Sequence, residues 1–259
     1  MKKSLSISVL STINPAPLLQ LAQSLAEKLE LPFYPSISGV HSDPILAYTD
    51  EGLQLVQLSK SGAVQRLLFV DFIKGKNAYR HKHNLTIKQP LARAIGIKSG
   101  FRPAVFDATA GLGADSFVLA CLGCVVLMCE RAPVLHALLQ DALSRTARLP
   151  VTKEIVDNRL HLLPGDSLRL LQKTNQTFHT IYLDPMYPHR TKSALNKLEM
   201  RVIRDLVGDD KDCGDLLDAA LAAAENRVVV KRPKGAERIP GPPPSFTVPM
   251  KNSRFDVYL

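Results

Sequence analysis

The chain has 259 residues, a hydrophobic fraction of 46% and a formal net charge of +9. This is enough length for one large or two modest hydrophobic cores. Its excess of lysine and arginine favours a polyanionic partner. No apolar run reaches the ~20 residues of a membrane span, and Ser4 to Leu10 alternates polar and apolar residues where a secretion signal would be continuously apolar, so a cytoplasmic protein is expected.

Residues 1 to about 75 read as a small α/β unit. The alternation in Ser4–Leu10 predicts a strand. Pro17 to Leu29 predicts a helix with Leu18, Leu21, Leu25 and Leu29 as its apolar positions. Ala47 to Leu58 predicts a hairpin turning at Asp50-Glu51-Gly52, and Gln65 to Phe72 a further strand. Residues 76 to about 102 follow as a basic connector, expected to be helical, at the head of a second domain running to residue 259. From Phe72 to Phe106 there is no acid, while Lys74, Lys76, Arg80, Lys82, Lys88, Arg93, Lys98 and Arg102 accumulate beside His81 and His83. Single-signed blocks are usually solvated faces. Next to a ligand-binding turn, this one also suits a nucleic-acid backbone, bound through phosphate contacts and counterion release. Lys74, Lys76, Arg80 and Lys82 are the candidate contacts.

From Ala104 onward strands alternate with helices, the pattern of a parallel sheet. Ala104-Val105-Phe106 ends in Asp107 and is followed by Ala108-Thr109-Ala110-Gly111-Leu112-Gly113-Ala114-Asp115. A helix should then begin, with Phe117, Val118 and Cys121 on one apolar face. Strand, glycine-rich turn and helix make the nucleotide-binding corner of an open α/β sheet. Gly111 and Gly113 supply positive φ and close backbone approach. Ser116 stands where the dinucleotide fingerprint needs its third glycine, which argues against a nicotinamide cofactor. Asp107 and Asp115 would repel a diphosphate and suit a ligand with a cationic end, such as S-adenosylmethionine.

The next strand, Val125 to Cys129, ends in Glu130, placed to take two ribose hydroxyls, with Arg131 beside the adenine. Pro133 opens a helix marked by Val134, Leu135, Leu138, Leu139 and Ala142. Leu160 to Leu163 runs as a strand into Pro164-Gly165-Asp166-Ser167, where Asp166 would meet the adenine amino group. Ile181-Tyr182-Leu183 is a fourth apolar strand and ends in Asp184-Pro185-Met186-Tyr187-Pro188. Pro185 and Pro188 make that exit stiff and leave its carbonyls free to accept. Asp184 can accept from an exocyclic amine held against the Pro185 carbonyl, and Tyr187 can stack on its ring. A proline-rich strand exit with a buried tyrosine explains the stretch equally well on its own. The weight lies in four strand ends, at Asp107, Glu130, Asp166 and Asp184, all offering acids to the edge where open α/β sheets bind ligands.

After this turn, Arg190, Lys192, Lys197, Arg201 and Arg204 form a second basic group, on a helix whose buried stripe is Leu195, Leu198, Val202 and Leu206. Arg190 and Lys192 join the candidate RNA contacts. Leu216 to Ala224 predicts a helix leading into a strand from Arg227 to Val230, and Phe255 to Tyr258 a closing strand. Cys121 and Cys124 form a lone C-x-x-C with no ligand partner at metal-site spacing, so both are expected in the core and no metal is expected.

Asp107 to Asp115 resembles the first motif of class I S-adenosylmethionine-dependent methyltransferases, and Asp184 to Pro188 is similar to the Asp-Pro-Pro-Tyr motif of enzymes that methylate exocyclic amines. The forms found here, with Val228-Val229-Val230-Lys231-Arg232-Pro233 and Arg254-Phe255-Asp256-Val257-Tyr258, resemble the ribosomal RNA small subunit methyltransferase J family from about Val70 onward. Met186 stands where the broader amine methyltransferases often carry proline. The resemblance implies a Rossmann-like class I methyltransferase sheet with a smaller N-terminal α/β unit. It implies a 16S ribosomal RNA guanine-N2 methyltransferase acting on the RNA or the small ribosomal subunit. Its cofactor positions fall on Ala114-Asp115, Glu130-Arg131, Asp166-Ser167 and Asp184. Without it, methylation of another amine and a non-catalytic RNA-binding scaffold both remain open.

Overall fold

The computed structural model describes residues 5–10, 15–40, 44–59, 61–74, 86–186, 198–208 and 212–259. Packing divides the chain into two compact units, one of residues 1–70, 133–145 and 191–207, the other of residues 71–132, 146–190 and 208–259.

In the first unit, β1 (Ser6–Leu10) pairs in parallel with β2 (Phe33–Tyr34) and β3 (Ile45–Thr49). The hairpin forms as expected, with β3 antiparallel to β4 (Gly52–Leu58) and Thr49 opposite Gly52. β5 (Val64–Leu68) closes the sheet and ends earlier than its apolar run suggests. Helix α1 (Pro15–Leu29) buries Ala22 and Ala26, whereas Leu21 is exposed. Two small alanines let the helix lie close to the sheet, and the larger leucine turns outward. Arg145 fastens this unit. It pairs with Asp141 at 2.7 Å, donates to the Val70 carbonyl at 2.6 Å and lies over the Phe69 ring.

The second unit holds a seven-stranded sheet. Its strands are β6 (Val105–Asp107), β7 (Val126–Glu130), β8 (Leu160–Pro164), β9 (Phe178–Leu183), β10 (Ala224–Pro233), β11 (Phe246–Pro249) and β12 (Ser253–Tyr258). The order is β8-β7-β6-β9-β10-β12-β11, parallel from β8 to β10, with β12 antiparallel to both its neighbours. The chain builds outward from β6 to β8 and then returns to β9 on the other side of β6. Connections therefore diverge at the carboxyl ends of β6 and β9, which opens a crevice there.

Thr180, Ile181, Tyr182 and Leu183 are all buried, the continuous burial of a parallel strand covered on both faces. Phe106, Ile181, Leu183, Leu217, Val228 and Val230 share one core, and Phe106 stacks on Phe178 at 4.5 Å. Helix α2 (Pro90–Ile95) is the helical part of the basic connector among the described residues, shorter than expected. It stops at Gly96, whose φ of 89° is left-handed. The other helices of this unit are α3 (Ala114–Cys121), α5 (Pro150–Arg159), α6 (Ser167–Lys173) and α8 (Cys213–Ala223). Helix α4 (Pro133–Ala147) follows β7, and most of it packs with the first unit. So does α7 (Leu198–Val207), where Val202 and Ile203 are buried, Leu206 and Arg204 half-buried and Arg201 exposed. Its two arginines thus do not both point outward.

Candidate active site

Asp107 ends β6 and is 2% exposed. One carboxyl oxygen accepts from the Thr109 N–H at 3.1 Å and the other from the Ser116 hydroxyl. Ser116 is fully buried. The residue that breaks the dinucleotide fingerprint is therefore the one that ties helix α3 to the strand end. Gly113 caps α3 with φ 68°, and Gly111 has φ 55° with only the Thr109 carbonyl near the position of an added Cβ, at 3.9 Å. The turn is left-handed at both glycines and open beside Gly111, as close ligand approach requires.

Glu130 braces this turn from the neighbouring strand. Its Oε2 accepts from the Gly111 N–H at 2.8 Å and its Oε1 from the Ala132 N–H at 2.7 Å. Arg131 pairs with Asp212 at 2.8 Å. Asp166 caps α6 by accepting from the Leu168 N–H at 3.0 Å, and the Ser167 hydroxyl donates to the Ala108 carbonyl at 2.7 Å. Ser167 thus joins the third strand end to the first, while Asp166 caps its own helix.

The turn after β9 meets the glycine turn directly. The Ala108 N–H donates to the Tyr182 carbonyl at 3.0 Å, and the Asp184 N–H donates to Thr109 Oγ1 at 2.6 Å. The Asp184 side chain is 39% exposed at the crevice, and Pro185 is buried. Tyr187 lies outside the described residues, as do Lys76, Arg80, Lys82, Arg190 and Lys192. Lys74 is described and exposed. Arg102, counted above in the basic block, is committed to the Leu122, Lys98 and Phe101 carbonyls at 2.6 to 3.0 Å.

One charged residue at this edge was not singled out from sequence. Lys231, near the end of β10, donates to Asp115 Oδ2 at 2.7 Å and to Asp184 Oδ2 at 2.8 Å. The Tyr182 hydroxyl donates to the same Asp115 oxygen at 2.8 Å. The only local signal for Lys231 was the pair Lys231-Arg232 closing the apolar run Val228-Val229-Val230.

Residues 24–259 match the SAM_MT family of SAM-dependent methyltransferases. The chain belongs to that family. Among its relatives, a ribosomal RNA small subunit methyltransferase J from Desulfotalea psychrophila is 50% identical over all of this chain and 98% of its own length. One of the same name from Thioalkalivibrio sulfidiphilus is 48% identical over 92% of each chain. The crystal structure of a SAM-dependent methyltransferase from Neisseria gonorrhoeae superposes with a TM-score of 0.68 at 29% identity, covering 98% of this chain and 96% of that one. This SAM_MT chain is thus an enzyme of the Rossmann-like class I methyltransferase fold, with S-adenosylmethionine as its cofactor.

The edge fits that cofactor. Gly111 leaves room beside the turn, and the acids at the strand ends favour a ligand carrying ammonium and sulfonium charges over a diphosphate. Among the described residues, no group of three or more His, Cys, Asp or Glu side chains is arranged to hold a metal ion. Cys124 and Cys129 are buried, and burial pushes the Cys124 thiol up to about 11 and the Cys129 thiol up to about 12.

Burial pushes the Asp107 carboxyl up to about 7; the Ser116 and Thr109 hydrogen bonds oppose this and the Asp115 and Asp184 charges add to it. Its ordinary value is 3.8, so between about pH 4 and 7 the unfolded chain has released a proton that the fold still holds. Stability from this group therefore falls as pH rises across that window, by at most ~1.4 kcal/mol per pH unit. Urea unfolding of the cofactor-free protein should show this fall. Asp107→Asn, whose amide can meet both Thr109 and Ser116, should flatten it. An equal slope in the variant would show that Asp107 is ionised in the fold across this range.

Proposed function

We propose that this enzyme transfers methyl from S-adenosylmethionine to the exocyclic N2 amine of a guanine in the 16S ribosomal RNA of the small ribosomal subunit, in the cytoplasm. The observation that carries the reading is the 2.6 Å bond from the Asp184 N–H to Thr109, which joins an amine-accepting acid to the cofactor turn. The names of the relatives at 50% and 48% identity support the RNA substrate, as does the net charge of +9. We read residues 76–259 as carrying the methyltransferase site and residues 1–75 as a smaller N-terminal unit, with which residues 133–145 pack.

S-adenosylmethionine supplies an electrophilic methyl on a sulfonium centre. Gly111, Gly113, Ala114 and Asp115 receive its amino-acid end. Glu130 and Arg131 receive the ribose and the flank of the adenine, and Asp166 and Ser167 the adenine edge. The guanine leaves its stack to reach the crevice and lies against Tyr187, as single-stranded bases do on aromatic side chains. Its amine lone pair is delocalised into the ring. The Asp184 carboxylate and Pro185 carbonyl accept the two amine hydrogens and turn that lone pair toward the methyl. The bound cofactor would supply the methyl by in-line displacement, the new N–C bond replacing its C–S bond and the electron pair staying on sulfur. The nitrogen, cationic once methylated, then releases one proton to solvent past Asp184. Alignment is the main contribution. Lys74, Lys76, Arg80, Lys82, Arg190 and Lys192 hold the phosphate backbone.

The test is a methylation assay on small subunits and on naked 16S RNA, with the product nucleoside identified by mass. N2-methylguanosine is expected. Methyl on another base, or no transfer to either substrate, would overturn the reading.

A further inference from the structure

Lys231 occupies a position that the register of the sheet dictates. Val230 pairs with Leu183 in the parallel ladder, so the next residue on each strand is Lys231 beside Asp184. From there the ammonium reaches both Asp184 and Asp115, at 2.8 and 2.7 Å. It bridges the acid assigned to the substrate amine and an acid in the first turn of the glycine-capped helix α3. We propose that Lys231 is a positioning residue for methyl transfer: it holds the Asp184 carboxylate ionised and oriented toward the amine, and locks that carboxylate to the cofactor helix.

This inference rests on the role given to Asp184 above. Groups facing Asp184 among the described residues include the acid Asp107 on β6, the acid Asp115 on α3, Tyr182 on β9 and the cation Lys231 on β10. Burial disfavours its charge, but Asp184 and Asp115 outweigh burial and hold its pKa above the usual lysine range. It therefore stays protonated across neutral pH. Without it, Asp184 would stand near two other acids with no counter-charge from this group, and its own pKa would rise. A protonated Asp184 carries a hydroxyl donor in place of one acceptor, the wrong partner for an amine hydrogen. The Tyr182 hydroxyl keeps Asp115 in place by a second bond, so the lysine's effect falls mainly on Asp184.

The experiment has two arms. Carboxyl-carbon NMR titration of aspartate-labelled protein, with Asp184→Asn to assign the resonance, compares wild type with Lys231→Met and Lys231→Arg. Lys231→Gln is the second neutral variant, used if the Met variant melts early. The Asp184 pKa should rise by about one unit or more when the cation is removed and stay near the wild-type value in the Arg variant. In the second arm, the acidic limb of the kcat–pH profile should move upward by the same amount, with activity regained at higher pH. The calorimetric Kd for S-adenosylmethionine should stay within about threefold, since the substrate side carries the effect. An unmoved Asp184 titration in both neutral variants overturns the proposal, as does a kcat loss equal at every pH. If the titration moves while the wild-type enzyme methylates no guanine amine, the function proposed above fails and the charge control by Lys231 stands.

Discussion

Asp184→Ala should lower methyl transfer to ribosomal RNA by about three orders of magnitude, the scale seen when one preorganised polar group is taken from a reacting centre. Cofactor affinity should change far less. The reason is geometric. The turn is held by the Asp184 backbone N–H on Thr109 and by the Tyr182 carbonyl on the Ala108 N–H, and neither bond uses the side chain that the substitution removes. Lys231 keeps its bond to Asp115 in the variant, so helix α3 retains its partner. What disappears is an acceptor exposed at the crevice, and with it the group that orients the amine. Asp184→Asn is the sharper companion. It keeps the size and one acceptor oxygen but loses the charge, and its amide nitrogen would face either Lys231 or the substrate amine, both donors. Its loss should approach that of alanine. Single-turnover rates at saturating cofactor measure the chemical step directly. An alanine variant retaining a tenth of wild-type rate would remove Asp184 from the reacting centre.

Much of this site was readable because each piece is local. Apolar runs ending in acids at Asp107, Glu130 and Asp184 mark parallel strands whose ends share one edge. The glycines at 111 and 113 mark a turn that no side chain fits easily. The helix α5 escaped because Pro150–Arg159 carries little apolar periodicity, with only Thr152 and Val156 buried. Strand β11 escaped because Phe246–Pro249 is a short, proline-flanked edge strand. Leu21 misled because pattern alone cannot tell that small alanines, not the leucine, face the sheet. Lys231 is a different kind of omission. Val228 to Pro233 contributes to the family resemblance, but the stretch by itself assigns Lys231 no role. The lysine matters only because β10 lies next to β9 in a register that puts residue 231 beside residue 184, and strand order is a property of the whole sheet. Ser116 was read as a missing glycine, when its hydroxyl is what Asp107 requires.

Glu130→Ala should weaken S-adenosylmethionine binding by about a hundredfold or more. Glu130 is 6% exposed and accepts from the Gly111 and Ala132 N–H groups, both hydrogen bonds to a charge. Bonds of that kind are each worth ~1.5–3 kcal/mol, and removing the acceptor strands two partly buried donors. The Gly111 bond also fixes the turn that must approach the ligand, so the loss includes the cost of reordering that turn on binding. Glu130→Gln should be nearly as damaging, because its amide puts a donor against one of the two N–H groups. The ribose role and the bracing role can be separated with a cofactor analogue lacking one ribose hydroxyl. In the wild-type enzyme, that analogue should bind more weakly than S-adenosylmethionine if Glu130 takes the hydroxyl. In Glu130→Ala, the same deletion should cost almost nothing more, so the double-mutant cycle shows strong coupling. Additive losses would make Glu130 a brace for the glycine turn alone. A calorimetric Kd within threefold of wild type in the alanine variant would mean that the turn holds its shape without the carboxylate, and that the second strand end contributes little to the cofactor.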